Sequence, residues 1–303
     1  MRLSRRRLLG SLLAAGTAAA LAPARAQGAG PLTRPIASTG GALPLVGLGS
    51  WITFNVGDDP VARDACAEVM GAFFAAGGRL IDSSPMYGSS QEVIGYGLAK
   101  LGRPPALFSA TKVWTSSASE GPEQVEDAQR LWGVPRFDLL QVHNLVAWEA
   151  HLETLMAMKA AGRLGHVGVT TSHGRRHAEL ERIMAAHPVD FVQVTYNAAD
   201  REVERRILPL AAERGIAVIA NRPFRGGDLT QEFAGRPLPG WAAEIGCTGW
   251  AQAFLKFIVS HPAVTCAIPA TTRVDHVREN MAAASGPMPD AALRARMAAD
   301  IAA

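Results

Sequence analysis

The feature that most constrains this chain is a repeated alternation of short apolar runs with stretches of helical period. Eight runs read as strands: Leu45–Trp51, Arg79–Ser84, Leu107–Trp114, Phe137–Asn144, His166–Thr171, Phe191–Asn197, Ala217–Pro223 and Val264–Thr271. Each is mostly apolar, the pattern of a parallel sheet covered on both faces. Between them lie helical stretches, among them Val61–Ala76, Trp148–Ala161, Ala178–Ala186, Val203–Arg214 and Trp250–Ser260. Several end near glycine, at Gly77-Gly78, Gly162 and Gly215, where a left-handed residue closes a helix. Eight strands interleaved with helices, with no linker between them, predict a single α/β domain, a (β/α)8 barrel of the TIM type. The competing architecture is an open doubly wound sheet, marked by Gly-x-Gly-x-x-Gly after its first strand. Gly47-Leu48-Gly49 lacks the third glycine, and Gly95-x-Gly97 falls inside a helical pattern. The barrel is therefore preferred, and a chain that is 48% apolar and 19% charged can fill its core.

The barrel domain is expected to span 27–303, because residues 1–26 read as a targeting segment. Arg5-Arg6-Arg7 precede an apolar run from Leu8 to Ala22, and Ala24-Arg25-Ala26 offers a small-x-small cleavage site before Gln27. The run is too short and too rich in Ala and Gly for a stable membrane anchor. Ser4-Arg5-Arg6-Arg7-Leu8-Leu9 resembles the twin-arginine signal of bacteria, which implies export to the periplasm of a protein already folded. Removing the five arginines of this segment takes the formal charge from +3 to −2, so the remainder has no basic excess for nucleic acid. Cys66, Cys247 and Cys266 are odd in number and widely spaced, and read as buried thiols. His173 and His177 are spaced for one helical face, but no third ligand is evident, and no metal site is expected.

Active sites of such barrels lie at the C-terminal ends of the strands. The second strand ends Asp82-Ser83-Ser84 and runs into Pro85-Met86-Tyr87-Gly88; the third carries Lys112; the fourth ends in His143-Asn144. Each residue alone has a structural explanation, as a helix cap, a salt-bridge partner or a core histidine. Together at one rim they form a chemical device. A phenol is a poor acid or base at neutral pH. A lysine ammonium beside it favours phenolate and is expected to lower its pKa, and a carboxylate holds the lysine. A histidine aimed at the same oxygen orients a substrate carbonyl, giving a means of protonating that oxygen as hydride reaches the carbon.

Asp82-x4-Tyr87-Gly88, Thr111-Lys112-x-Trp114 and Leu140-Gln141-Val142-His143 resemble the aldo-keto reductase family, and the likeness runs from Gly40 to the C-terminal helix. The resemblance implies a TIM barrel, NADPH as cofactor (NADH being compatible), and Asp82, Tyr87, Lys112 and His143 as catalytic residues. Tyr87 is then the general acid that completes reduction of an aldehyde or ketone to an alcohol. The resemblance also places Thr170, Thr171, Gln193, Asn221, Arg222 and Pro223 at the nicotinamide end of the cofactor. Gln193 is the carboxamide contact, and Asn221 stands where many members carry a stacking aromatic. The segment Thr271-Thr272-Arg273-x-x-His276-x-x-Glu279-Asn280 resembles the region around the adenosine phosphate, with Arg273 toward the 2′-phosphate and His276 replacing a common arginine. Trp51, Trp114 and Asn144 are expected to edge the substrate pocket. A lyase using the same Tyr–Lys pair around bound cofactor, or a non-catalytic binding or regulatory subunit, is the alternative reading.

Overall fold

The computed structural model describes residues 30–303; the export segment expected over residues 1–26 lies outside them. The described chain opens with an antiparallel hairpin, β1 (Thr33–Pro35) and β2 (Ala42–Pro44). Alternation follows with β3 (Leu48–Gly49), α1 (Pro60–Ala75), β4 (Leu80–Asp82), α2 (Ser90–Lys100), β5 (Phe108–Val113), α3 (Glu120–Trp132) and β6 (Leu139–Val142). It continues with α4 (Trp148–Ala160), β7 (His166–Thr170), α5 (His177–Ala186), β8 (Phe191–Thr195), α6 (Ile207–Arg214) and β9 (Ala217–Asn221). A long excursion carries α7 (Asp228–Glu232) and α8 (Trp241–Glu244), and α9 (Trp250–Val259), β10 (Cys266–Ala267), α10 (Val274–Ala282) and α11 (Ala291–Ala302) complete the chain.

Strands β3 to β10 pair in sequence order, every pair parallel. Parallel bridges at Val46–Ala267 and Gly49–Ala270 join the two ends, so the sheet closes on itself as a (β/α)8 barrel. One apolar cluster fills its interior, with Leu80, Phe108, Leu139, Phe191 and Ile219 pointing inward. Ile36 and Leu43 of the opening hairpin join that cluster, so the hairpin plugs the N-terminal end. There Thr39 Oγ1 meets His166 Nε2 at 3.1 Å. A larger cluster lies between strands and helices.

Three expectations change in detail, and a fourth, the helical placement of Gly95-x-Gly97, gains its reason. The strands are shorter than the apolar runs, because the backbone leaves the ladder where the polar rim begins. After Val142 the chain turns through Asn144 (φ 52°) and Leu145 (φ 56°), and the Asn144 N–H is taken by the Thr170 hydroxyl at 3.0 Å. The helix expected over Val203–Arg214 is split into a 3-10 turn (Glu202–Glu204) and α6. Pro209 has no N–H and its ring crowds the Arg205 carbonyl, so it fits only the first turn of a helix. His173 lies in a loop and α5 begins at His177, so the two histidines do not share a helical face. The Gly95-x-Gly97 pair serves helix packing: a side chain at Gly95 would collide with the Leu131 carbonyl of α3, and one at Gly97 would lie 2.5 Å from Met70 Sδ of α1.

The three cysteines are buried and free. Among the described residues no group of His, Cys, Asp and Glu is placed to hold a metal ion, and no helix is long and apolar enough to cross a membrane.

Candidate active site

A cavity of about 570 Å³ opens at the C-terminal end of the barrel. Asp82 ends β4, and the loop after it carries Tyr87. Gly88 turns that loop at φ 59°, close against the Asn55 side chain, where no larger residue would fit. Asn55 Oδ1 accepts the Ser89 N–H at 3.0 Å, which ties the Tyr87 loop to the segment after β3.

Lys112 and Asp82 form a fully buried ion pair, Nζ to Oδ2 2.5 Å. Burial of such a pair is tolerable only when the remaining polar atoms are satisfied. Here Lys112 also donates to the Ser83 carbonyl (2.8 Å) and, at the longest distance, to the Tyr87 hydroxyl (3.5 Å). The second oxygen of Asp82 accepts from Gln141 Nε2 (3.1 Å) and Gln193 Nε2 (2.9 Å). Burial by itself would lower the Lys112 pKa; the facing Asp82 carboxylate and Tyr87 oxygen outweigh it, and the pKa is raised. Lys112 is therefore a fixed ammonium.

Tyr87 corrects one expectation. Burial raises its phenol above the ordinary value, and the opposing pull of Lys112 does not cancel this rise, to which Asp82 adds. Lys112 moderates an elevated pKa rather than producing a depressed one, and the phenol keeps its proton at neutral pH. The His143 ring meets the Tyr87 ring edge-on at 5.8 Å. Burial, then the Lys112 charge, pushes the His143 pKa down to about 3, so the imidazole is neutral. Its Nδ1 lies 2.8 Å from Ser84 Oγ, which accepts the Met86 N–H at 3.2 Å. A hydroxyl hydrogen assigned to Nδ1 satisfies both groups and leaves the ring proton on Nε2.

The cavity brings most of the expected residues together. Trp51, Asp82, Tyr87, His143 and Asn144 line it, as do Thr170, Thr171, Gln193, Asn221, Arg222 and Pro223, and so do Thr271, His276, Glu279 and Asn280. Lys112 stands behind Asp82 and Tyr87. The cavity lining does not include Trp114, Thr272 or Arg273. Trp114 is 42% exposed, and Arg273 is held by Asp275 at 2.5 Å near the surface.

The expected cofactor residues have structural duties as well. Thr170 binds the Asn144 amide; Gln193 donates to Asp82; Asn221 donates to the Thr171 carbonyl (3.0 Å) and accepts from Thr195 Oγ1 (2.8 Å). Asn221 is therefore a bridge between strand ends, a role an aromatic could not fill. Thr171 Oγ1 is buried without a partner on a residue of the cavity wall, the condition of a group awaiting a polar ligand. Beyond it, α10 begins beside Thr271 and His276, and a helix start suits an anion. With Arg222 also on the cavity wall, this donor set fits a nicotinamide dinucleotide.

Sequence reasoning missed Ser84, which sets the His143 tautomer, and the donation from Gln141 that anchors Asp82. The Ser83-Ser84 pair beside Asp82 was the one local signal. It also missed Arg176, whose Nη1 donates to the carbonyls of Asn144 (3.0 Å) and Leu145 (2.7 Å), steadying the turn after His143. Nothing near Arg176 in sequence pointed there.

A closed parallel barrel with a Tyr–Lys–Asp–His set on a cavity at its C-terminal rim has the fold and the site of an enzyme that protonates a carbonyl oxygen. Residues 45–298 match the model of the aldo/keto reductase family, and the chain belongs to that family. It is 26% identical over 245 residues to the methylglyoxal reductase YeaE of Escherichia coli, covering 79% of this chain and 85% of the relative. It is also 26% identical over 249 residues to an NADH-specific methylglyoxal reductase of Escherichia coli, covering 69% and 72%. Among solved structures, an aldo-keto reductase of Klebsiella pneumoniae in complex with NADPH matches with a TM-score of 0.74 at 22% identity, over 88% of this chain and 94% of that one.

Proposed function

We propose that this protein is an NADPH-dependent carbonyl reductase, converting an aldehyde or ketone to the alcohol, with Tyr87 as general acid. The observation that carries this is the half-buried Tyr87 phenol on the cavity wall, its hydroxyl 3.5 Å from a Lys112 ammonium that Asp82 holds in place. A reduced nicotinamide, when bound, supplies the hydride that reaches the carbonyl carbon.

This chain's residues do the rest. Tyr87 hydroxyl and His143 Nε2 together hold the carbonyl oxygen. As negative charge develops there, Tyr87 gives up its proton to it, and Lys112 stabilises the phenolate left behind. Asp82, anchored by Gln141 and Gln193, keeps Lys112 in range. Thr171 and the Gln193 carbonyl oxygen would hold the nicotinamide carboxamide, and Arg222 the pyrophosphate. Thr271, His276, Glu279 and Asn280 would hold the adenosine end, with Thr272 and Arg273 outside the cavity lining. Asp275 competes for Arg273, so preference for NADPH over NADH is to be read from the ratio of the two rates.

Methylglyoxal, which two relatives are named for, is a suitable first aldehyde to assay. Tyr87→Phe is expected to lower kcat by at least about 100-fold while NADPH still binds, as followed by its fluorescence. Retained activity in that variant would refute Tyr87 as the acid. The segment 1–26 supports export to the periplasm, with the enzyme leaving the cytoplasm folded around a tightly held cofactor.

A further inference from the structure

Lys256, on α9, is a buried charge that the mechanism does not use. It is 3% exposed, and its Nζ donates to three main-chain carbonyls, those of Ile245 (2.8 Å), Ser285 (2.6 Å) and Pro287 (2.8 Å). Three accepting carbonyls take three N–H groups, which only the ammonium has. Burial opposes that charge and lowers the pKa, with Cys247 pulling the other way. The acceptors are neutral, so carbonyl dipoles replace the lost hydration, as they do around a bare cation. Packing of α9 does not require the charge, because Phe254, Leu255, Phe257 and Ile258 already bury the helix in the core.

The three carbonyls belong to two segments far apart in sequence, and both lead back to the cavity. Ile245 follows α8 at the end of the excursion, whose Phe233, Ala234 and Gly235 line the cavity. The excursion is also tied to the start of α9, where the Trp250 indole N–H donates to the Arg236 carbonyl at 2.9 Å. Ser285 and Pro287 flank Gly286 (φ 70°) just after α10, whose His276, Glu279 and Asn280 line the cavity. Gly249, ahead of α9, lies against α10, since a side chain there would collide with the Glu279 carboxylate. Lys256 therefore joins the excursion, α9 and α10 into one unit, which carries residues assigned to the adenosine end. Tyr87, Lys112 and His143 stand on the strands and loops from β4 to β6, outside that unit.

We infer that Lys256 is a positioning residue for the cofactor: its ammonium stands where a bound cation would, fixes the excursion against α10, and so sets how tightly the nucleotide is held. This rests on the reductase reading above. The full-length protein is compared with Lys256→Met, which removes all three donors, and Lys256→Gln, which keeps two. The dissociation constant for NADPH is followed by its fluorescence, and kcat on methylglyoxal is measured at saturating NADPH. Lys256→Met is expected to raise the dissociation constant about tenfold and Lys256→Gln by less, with kcat within about twofold in both. Should Lys256→Met not melt cooperatively, Lys256→Gln carries the test. Lys159→Met serves as the structural comparison, because it strips the partner (2.6 Å) from buried Asp190 just before β8, at the end of the barrel away from the cavity. It is expected to lose stability and leave NADPH affinity unchanged. An unchanged dissociation constant in the Lys256 variants, or an equal rise in Lys159→Met, would overturn the inference. Failure of the unmodified protein to bind NADPH would instead overturn the reductase reading itself.

Discussion

At the scale of single residues, chemistry here is decided by who shares the interior with whom. His143 is held neutral because burial and the Lys112 charge both oppose its protonation, with its pKa near 3 against an ordinary 6.5. In the unfolded chain it takes up a proton as pH falls through about 6.5, whereas in the folded chain it waits until about 3. Its contribution to stability is therefore complete above about pH 6.5 and is lost as pH falls toward 3. Each unit of such a difference is worth about 1.4 kcal/mol. Replacing His143 with Gln, which keeps a donor and acceptor but does not titrate, should flatten this part of the profile. Denaturant unfolding at pH 7.5 and 5 checks it: the unmodified protein should lose more stability between the two than the variant. An equal loss in both would mean that His143 is not held neutral.

At the scale of elements, close approach of helices and ties between loops position the site. The turn after His143 keeps three non-glycine residues at positive φ (Asn144, Leu145 and Ala147), and it is held by Thr170 from β7 and by Arg176 before α5. Arg176 is itself gripped by Glu179, which also accepts the Trp148 indole N–H at 2.9 Å. Helix α2, which follows the Tyr87 loop, packs on α3 with the Leu131 carbonyl directly against Gly95. Gly95→Ala places a methyl group where backbone stands, and backbone cannot step aside as a side chain can. A loss of about 1–3 kcal/mol is expected, measured by thermal or urea unfolding. Gly97→Ala should cost less, because it meets the flexible end of Met70. The reverse order would mean that α2 and α3 can separate at little cost.

For the whole molecule, the barrel supplies a rigid ring, and the excursion between β9 and α9 adds a wall to the cavity through Phe224, Thr230 and Phe233. The C-terminal helix is docked by Arg294, which donates to Tyr196 (2.6 Å) and pairs with Glu204 (3.2 Å). A ligand in such a cavity binds the folded form alone, so saturation at about 100 times the dissociation constant adds roughly 2.7 kcal/mol. Free NADPH is not expected outside the cytoplasm, so the proposed export would make cofactor retention the condition for activity. Protein recovered from the periplasm is therefore expected to carry nucleotide, seen by absorbance or mass spectrometry, and to melt several degrees above the stripped protein. With Arg5 and Arg6 both changed to Lys, it should remain in the cytoplasm. Active protein recovered from the periplasm without nucleotide would refute the carried-cofactor proposal.

The sequence by itself determined the barrel, because apolar runs and helical spacing are local patterns that the backbone converts directly into strands and helices. It also determined that Asp82, Tyr87, Lys112 and His143 belong to one rim, since all four sit at or just beyond strand ends and parallel strands bring those ends together. Tertiary structure decided what those groups are. The direction of the Tyr87 pKa follows from burial, which belongs to the surroundings and not to the residue. Gln193 meets Asp82 across 111 positions of sequence, and Ser84 meets His143 across 59, separations at which no spacing rule operates. The exclusion of Trp114 and Arg273 from the cavity lining, and the turn through Asn144 and Leu145 after His143, depend on loop paths. Loops are held by scattered hydrogen bonds rather than by a repeating pattern, so only the folded chain specifies them.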